Sequence, residues 1–172
     1  AERQADYQVV MEREIDRLER LIIDLLDLSR LQSQQRASQP QVREPVDLEA
    51  LIDTVIAGNA AWAASKTQSL GSEHRAGTLP PILGDQDQLV RALTNLVANA
   101  ISYTPAGGTI TVRSDVRGPS SNGQQVCVEI IDDGIGIPEA DLEKIFERFH
   151  RGTNIDSTMP GTGLGLAIIK EI

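Results

Sequence analysis

From Met11 to Leu31 apolar residues recur at helical spacing: Met11, Ile15, Leu18, Ile22 and Leu25 step by threes and fours, and Leu21 and Leu28 widen the stripe. Glu12, Arg13, Glu14, Asp16, Arg17, Glu19 and Arg20 fill the other face. This pattern predicts a long amphipathic helix with coiled-coil character, whose stripe pairs with a partner helix or docks on its own domain. The stretch from Gln32 to Glu44 is polar, carries Pro40 and is followed by Pro45, so it reads as a linker. A second helix is expected from an Asp47 N-cap through Leu51, Ile52, Val55 and Ile56 to about Ser65, then a strand within Thr67 to Arg75. Past Pro80-Pro81, Asp85 opens a third helix with Gln88 as its capping partner and Leu89, Leu93, Leu96, Val97 and Ala100 as its inner face. Gly107-Gly108 turns the chain into two alternating runs, Thr109 to Val116 and Gln125 to Ile131, which read as paired strands. A short helix follows Pro138, the polar stretch Arg151 to Gly161 reads as a mobile lid, and a last helix begins near Leu164.

Composition narrows the function classes. The 172 residues, 40% hydrophobic, suffice for one core and an added element rather than two full domains. Asp and Glu outnumber Lys and Arg by 25 to 16, giving a net charge of -9. Such acidity argues against nucleic acid and anionic membrane as partners. An anionic ligand would need local devices: glycine-rich backbone, a helix N-terminus, an arginine or a metal ion. Cys127 stands alone in an alternating apolar run and reads as a small core residue. No apolar run approaches the about 20 residues of a membrane span, so no membrane contact is expected of this segment.

Four clusters carry candidate chemistry. Asn95 and Asn99, four apart on the third helix, share one face. Amide oxygens are hard ligands suited to Mg2+, although two surface asparagines would give the same spacing. Asp132-Asp133-Gly134-Ile135-Gly136-Ile137-Pro138 follows the second paired strand. An aspartate there can accept a hydrogen bond from an exocyclic amine, and glycines let backbone approach a flat ring; an ordinary turn has the same composition. Ile145-Phe146-Glu147-Arg148-Phe149-His150-Arg151-Gly152 sets two aromatics beside two arginines. Gly161-Thr162-Gly163-Leu164-Gly165-Leu166-Ala167 is a glycine run entering a helix, a natural place for an anion, but without the strand of a dinucleotide fold or the lysine of a P-loop.

In this order the four clusters resemble the asparagine, first glycine, phenylalanine and second glycine boxes of sensor histidine kinases. Ile15-Asp16-Arg17-Leu18 through Asp24-Leu25-Leu26-Asp27-Leu28-Ser29-Arg30-Leu31 resembles the second helix of their dimerisation and phosphotransfer domain. The resemblance implies an α+β fold, a mixed sheet covered on one face by helices, preceded by one long amphipathic helix. It divides the chain into a partial dimerisation helix (1–38), a linker (39–46) and an ATP-binding catalytic domain (47–172) that lacks its last two strands. It implies ATP and Mg2+ as cofactors. Asp132 is expected on the adenine amine, Asn99 on the metal with Asn95 nearby, and Tyr103, Gly134, Gly136 and Ile137 around the base. Arg151 is expected on the phosphates, Gly161, Thr162, Gly163, Leu164 and Gly165 at the base of the lid, and Phe146 and Phe149 as its anchors. A second copy, or a histidine-bearing helix pairing with Met11–Leu31, and a response regulator are the implied partners, in the cytoplasm, either free or as the cytoplasmic part of a membrane-bound sensor.

Besides the missing last two strands, two further departures stand out. Ser102 occupies a position where the family often carries a basic residue. No phosphoacceptor box is present; His74 and His150 read as surface or lid residues, so the accepting histidine is expected outside this segment. Two rival readings share the glycine boxes: a serine kinase or switch ATPase of the same nucleotide-binding superfamily, and a non-catalytic dimerising module. The helix before Pro40 argues against the first, and the complete Asn99, Asp132 and glycine set against the second.

Overall fold

A computed structural model describes residues 2–36, 43–75, 79–118, 123–156, 159 and 161–172. Residues 157, 158 and 160 of the expected lid and 37–42 of the expected linker lie outside these. The described chain divides into two compact units, Ala1–Gln39 with Pro138–Ile172, and Pro40–Ile137. Residues 138–172 thus group with the N-terminal helix rather than with residues 47–137.

In the second unit, β1 (Glu44–Val46) pairs antiparallel with β3 (Ile82–Gly84), and β2 (Ser69–His74), β4 (Thr109–Arg117) and β5 (Gln125–Asp132) form a three-stranded sheet in that order. β2 runs parallel to β4, and β4 antiparallel to β5, so the sheet is mixed as expected. The three residues of β1 fall within the segment read as linker; Pro45 is compatible with a short two-stranded edge, which polar composition alone had hidden.

Helix α2 (Leu48–Ser65) starts where expected, with the Asp47 carboxylate accepting from the Ala50 amide at 3.1 Å. Helix α3 (Gln86–Tyr103) repeats the device: Asp85 accepts from the Gln88 amide at 3.1 Å. Leu93, Val97, Ala100 and Ile101 of α3 meet Leu51, Ile52 and Val55 of α2 over Ile110 and Val112 of β4, and this is the core of the unit. Burial of those aliphatic groups, each contributing about 1.5–3 kcal/mol, fixes α3 on the sheet. Leu96, expected in that inner face, is half-buried, and Ile101 takes the fully buried place. Cys127 is half-buried and free.

In the first unit, α1 (Glu2–Arg36) is longer than the periodicity indicated, continuing helically through Gln32–Arg36 where a linker was expected. Its apolar residues serve two faces. Leu28 and Leu31, with Leu21 beside them, bury against Leu164 and Ile168 of the last segment, where α4 (Gly165–Glu171) lies. Met11, Ile15, Leu18, Ile22 and Leu25 remain more than half exposed. The helix expected after Pro138 is a single 3-10 turn, Glu139–Asp141. Among the described residues, no helix is long and apolar enough to cross a membrane.

Candidate nucleotide site

Seven of the expected site residues lie in the unit Pro40–Ile137 and six in the other. On α3, Asn95 and Asn99 are half-buried and lie across the helix from the core residues Leu93 and Val97. Ser102 donates its hydroxyl back to the Ala98 carbonyl at 2.8 Å, so it supplies no substitute for a basic side chain. Tyr103 ends the helix, half-buried. Its carbonyl accepts the Ile135 amide of the D-x-G-x-G turn at 3.2 Å. The end of the asparagine helix and the aspartate turn are therefore one backbone unit.

The turn itself is held closely. Asp132, exposed at the end of β5, accepts the Gly134 amide on Oδ1 at 2.9 Å. Asp133 accepts the Thr109 amide at 2.8 Å, tying the turn to the start of β4. The glycines have reasons in the chain itself. A Cβ on Gly134 would come within 2.8 Å of the Tyr103 carbonyl oxygen, and Gly136 sits at φ +68. Ile137 is exposed beyond them.

In the other unit, the glycine run is braced by side chains. Thr162 donates its hydroxyl to Asp24 of α1 at 2.6 Å and accepts the Leu164 amide at 3.2 Å. Leu164 is fully buried against Leu28, Leu31 and Ile168, so its side chain packs the unit and only its backbone can face a ligand. Gly163 lies at φ +71, its carbonyl accepting the Phe149 amide at 2.9 Å. Gly161 and Gly165 flank this bend, half-buried. Arg151, expected on phosphates, spends Nη2 on the Asp156 and Met159 carbonyls at 3.2 and 2.8 Å within its own loop. Phe146 and Phe149 are exposed, the latter at φ 63.

Several supporting residues escaped the sequence reading. Asp141 is buried and accepts both the amide and the hydroxyl of Thr153, at 2.7 and 2.9 Å. Those two bonds, helped by the charge of nearby His150, hold its carboxyl below the ordinary aspartate range. His150 Nε2 lies 3.4 Å from Asp141, which makes this histidine part of a loop brace. His74 shares a hydrogen bond with Ser114 across β2 and β4 and is otherwise exposed. Nothing in sequence distance links Asp24 to Thr162 or Asp141 to Thr153, so only the fold reveals these pairs. Among the described residues, no cluster of His, Cys, Asp and Glu has metal-binding form.

The profile of the family described as histidine kinase-, DNA gyrase B- and HSP90-like ATPases matches residues 84–172. The chain belongs to this family. Drug sensory protein A of Synechocystis sp. is 42% identical over 165 residues, covering 92% of this chain and 24% of that protein. The solved mycobacterial sensor histidine kinase MprB is 33% identical, covers 74% of this chain and 78% of its own, and superposes with a TM-score of 0.65. Full-length ShkA, solved in complex with AMPPNP, is 27% identical with a TM-score of 0.75, over 99% of this chain and 33% of its own. The family match and these relatives assign residues 84–172 to an ATP-binding domain of the sensor histidine kinase kind. The chain spans about a quarter to two fifths of the first curated relatives it matches.

Proposed function

We propose that this segment binds Mg-ATP and donates its γ-phosphoryl group to a histidine outside the segment, as part of a two-component signalling kinase. The observation that carries the proposal is the joined unit of α3 and the D-x-G-x-G turn. There the half-buried Asn95 and Asn99 and the strand-end Asp132 stand on elements bonded through Tyr103 and Ile135. The donor set fits the implied groups: amide oxygens suit Mg2+ alongside phosphate and water, and a carboxylate suits an exocyclic amine.

Within this reading Asp132 orients the base, and Tyr103, Gly134, Gly136 and Ile137 surround it. Asn99 holds the metal, with Asn95 beside it. Gly161, Thr162, Gly163, Gly165 and the backbone of Leu164 meet the phosphates, where Arg151 adds charge after exchanging its loop carbonyls for them. ATP supplies the phosphoryl group, so the chain contributes positioning and charge neutralisation rather than acid-base chemistry. The capture of AMPPNP by ShkA supports nucleotide binding here. Residues 1–38 serve as part of a dimerisation domain and 47–172 as the ATP-binding domain. The exposed Met11, Ile15, Leu18, Ile22 and Leu25 pair with a second copy or a histidine-bearing helix, and a response regulator receives the phosphoryl group.

Titration calorimetry with AMPPNP and Mg2+ tests the assignment. Asp132→Asn swaps one acceptor oxygen for a donor, and a hydrogen bond to a charged group contributes about 1.5–3 kcal/mol, so affinity should fall roughly tenfold to a hundredfold. Unchanged affinity would remove Asp132 from the site.

A further inference from the structure

The C-terminus of α3 is tied off by two side chains that the proposed chemistry does not use. Lys66, half-buried just after α2, donates its ammonium to three carbonyls at the end of α3: Ile101, Ser102 at 3.2 Å and Thr104 at 3.1 Å. Gln68, buried, donates its amide to the carbonyls of Ile101 at 3.1 Å and Thr104 at 2.6 Å. The last carbonyls of a helix have no partner within it, and a cation is the charge that suits them. To this extent the arrangement is a helix cap.

Two features go beyond a cap. The bonded carbonyls of Ser102 and Thr104 flank Tyr103, whose own carbonyl accepts the Ile135 amide of the aspartate turn. The Ser102–Tyr103 and Thr104–Pro105 peptides flank the Tyr103–Thr104 peptide, so fixing both restricts the direction of the Tyr103 carbonyl, and the turn bearing Asp132 hangs on it. The base of Lys66 is itself fixed: its carbonyl accepts the Gly107 amide at 3.2 Å, and its amide bonds back to Ala63 at 3.0 Å.

We propose that Lys66 is a positioning residue for the nucleotide site, holding the end of the asparagine helix so that the Tyr103 carbonyl can register the aspartate turn beneath the base. Its effect on nucleotide rests on the binding reading above; its effect on the turn does not. Lys66 touches no ligand. It acts through the Ser102, Tyr103 and Thr104 peptides on Ile135, and through Ile135 on Asp132.

The test uses the whole chain with two readouts. The first is amide hydrogen exchange of Ile135 without nucleotide; the second is the affinity for AMPPNP with Mg2+ by calorimetry. Lys66→Met should raise Ile135 exchange and weaken AMPPNP, each by about tenfold, while amides of the β4–β5 ladder keep their protection. Lys66→Arg keeps the charge and several donors and should recover most of both losses. Should Lys66→Met fail to fold, Lys66→Gln, a milder loss of donors, is read on the same measurements. Unchanged Ile135 exchange, or an equal rise at Ile135 and throughout the β4–β5 ladder, would reduce Lys66 to a general stabiliser and overturn the proposal. Altered Ile135 exchange with unaltered affinity would overturn it too. A native chain that binds no AMPPNP defeats the nucleotide reading instead, and the Ile135 comparison still decides the clamp.

Discussion

The proposed site residues fall into two sets, one in each unit, and the two sets are supported in opposite ways. Asn95, Asn99 and Tyr103 stand on an 18-residue helix whose inner face is packed into the core, and the aspartate turn is bonded backbone to backbone onto its end. The glycine run leads into α4, which has seven residues, too few to be stable alone. It depends on Leu28, Leu31 and Asp24 of α1, the last bonded to Thr162 from 138 positions away. The residues of the ATP-binding family lie within 84–172, yet the groups bracing both halves, Lys66 and Gln68 in one and Asp24, Leu28 and Leu31 in the other, precede residue 84. The contrast is between one set of residues built on a core and another braced by a helix that precedes the family match.

Paired glycine substitutions break that comparison most sharply. Gly136 and Gly163 sit at nearly the same φ, +68 and +71. An alanine at either therefore pays the left-handed backbone penalty of about 1–2 kcal/mol. At Gly136 the new Cβ meets nothing within 4 Å, whereas at Gly163 it meets the Phe149 backbone and the His150 carbonyl oxygen at 2.8 to 2.9 Å. Backbone cannot rotate away as a side chain can. Gly163→Ala should cost about 3 kcal/mol or more, with overpacking added to the torsional term, and Gly136→Ala about 1–2 kcal/mol. Urea unfolding followed by hydrogen exchange at residues 149–171 measures both. Equal costs would mean that the close approach of Gly163 to Phe149 does not hold the glycine run.

Much of the first half was legible because its signals are local. Asp47 and Asp85 announced both helix starts, and alternation located β4 and β5. The spacing of Asn95 and Asn99 placed them together on one helix face, and the structure sets that face away from the core residues Leu93 and Val97. What was missed is non-local. Pro45 marked a linker because nothing in sequence shows that Glu44–Val46 meets Ile82–Gly84. Leu28 and Leu31 continue the same apolar stripe as Leu18 and Leu25, and periodicity cannot tell the residues that meet α4 from those left exposed. Leu164 stands in a glycine motif, and nothing in that motif shows that its side chain packs against Leu28 and Leu31 of α1.

The brace at Asp141 gives the second half a pH dependence. Its carboxyl is held below the ordinary value by the Thr153 amide first and the Thr153 hydroxyl second. A depressed carboxylate contributes stability that is fully present above its unfolded value, about 3.9, and is lost as pH falls through the lower folded value. The loop from Asp141 to Thr153 should therefore loosen progressively as the pH falls below about 4. The Thr153 amide signal in nuclear magnetic resonance, followed from pH 6 downward, should move with the native chain. In Asp141→Asn it should start from a looser position and lack that step. An identical titration in the variant would assign the step to another carboxylate.

The smallest effect belongs to the first half and runs toward greater stability. Helix α2 ends with the Gln68 amide on the Ala63 carbonyl at 3.0 Å and the Thr67 amide on the Ala64 carbonyl at 2.9 Å, the bond pair of a Schellman turn. That turn needs its left-handed residue at position 67, where glycine is usual and this chain has an exposed threonine at φ 56. A β-branched residue is costly there, and its hydroxyl donates to the adjacent Lys66 carbonyl at 2.6 Å. The strain persists because the turn delivers Lys66 and Gln68 to the end of α3. Thr67→Gly should relieve it, offset in part by the greater freedom of glycine in the unfolded chain, for a net gain of about 0.5–1 kcal/mol. The gain should appear as a higher urea midpoint for α2 and α3, with exchange at residues 149–171 unchanged, since the brace on the glycine run does not pass through this turn. A lower midpoint would show that the hydroxyl bond outweighs the strain, and a gain shared by residues 149–171 would show that the two halves are stabilised together after all.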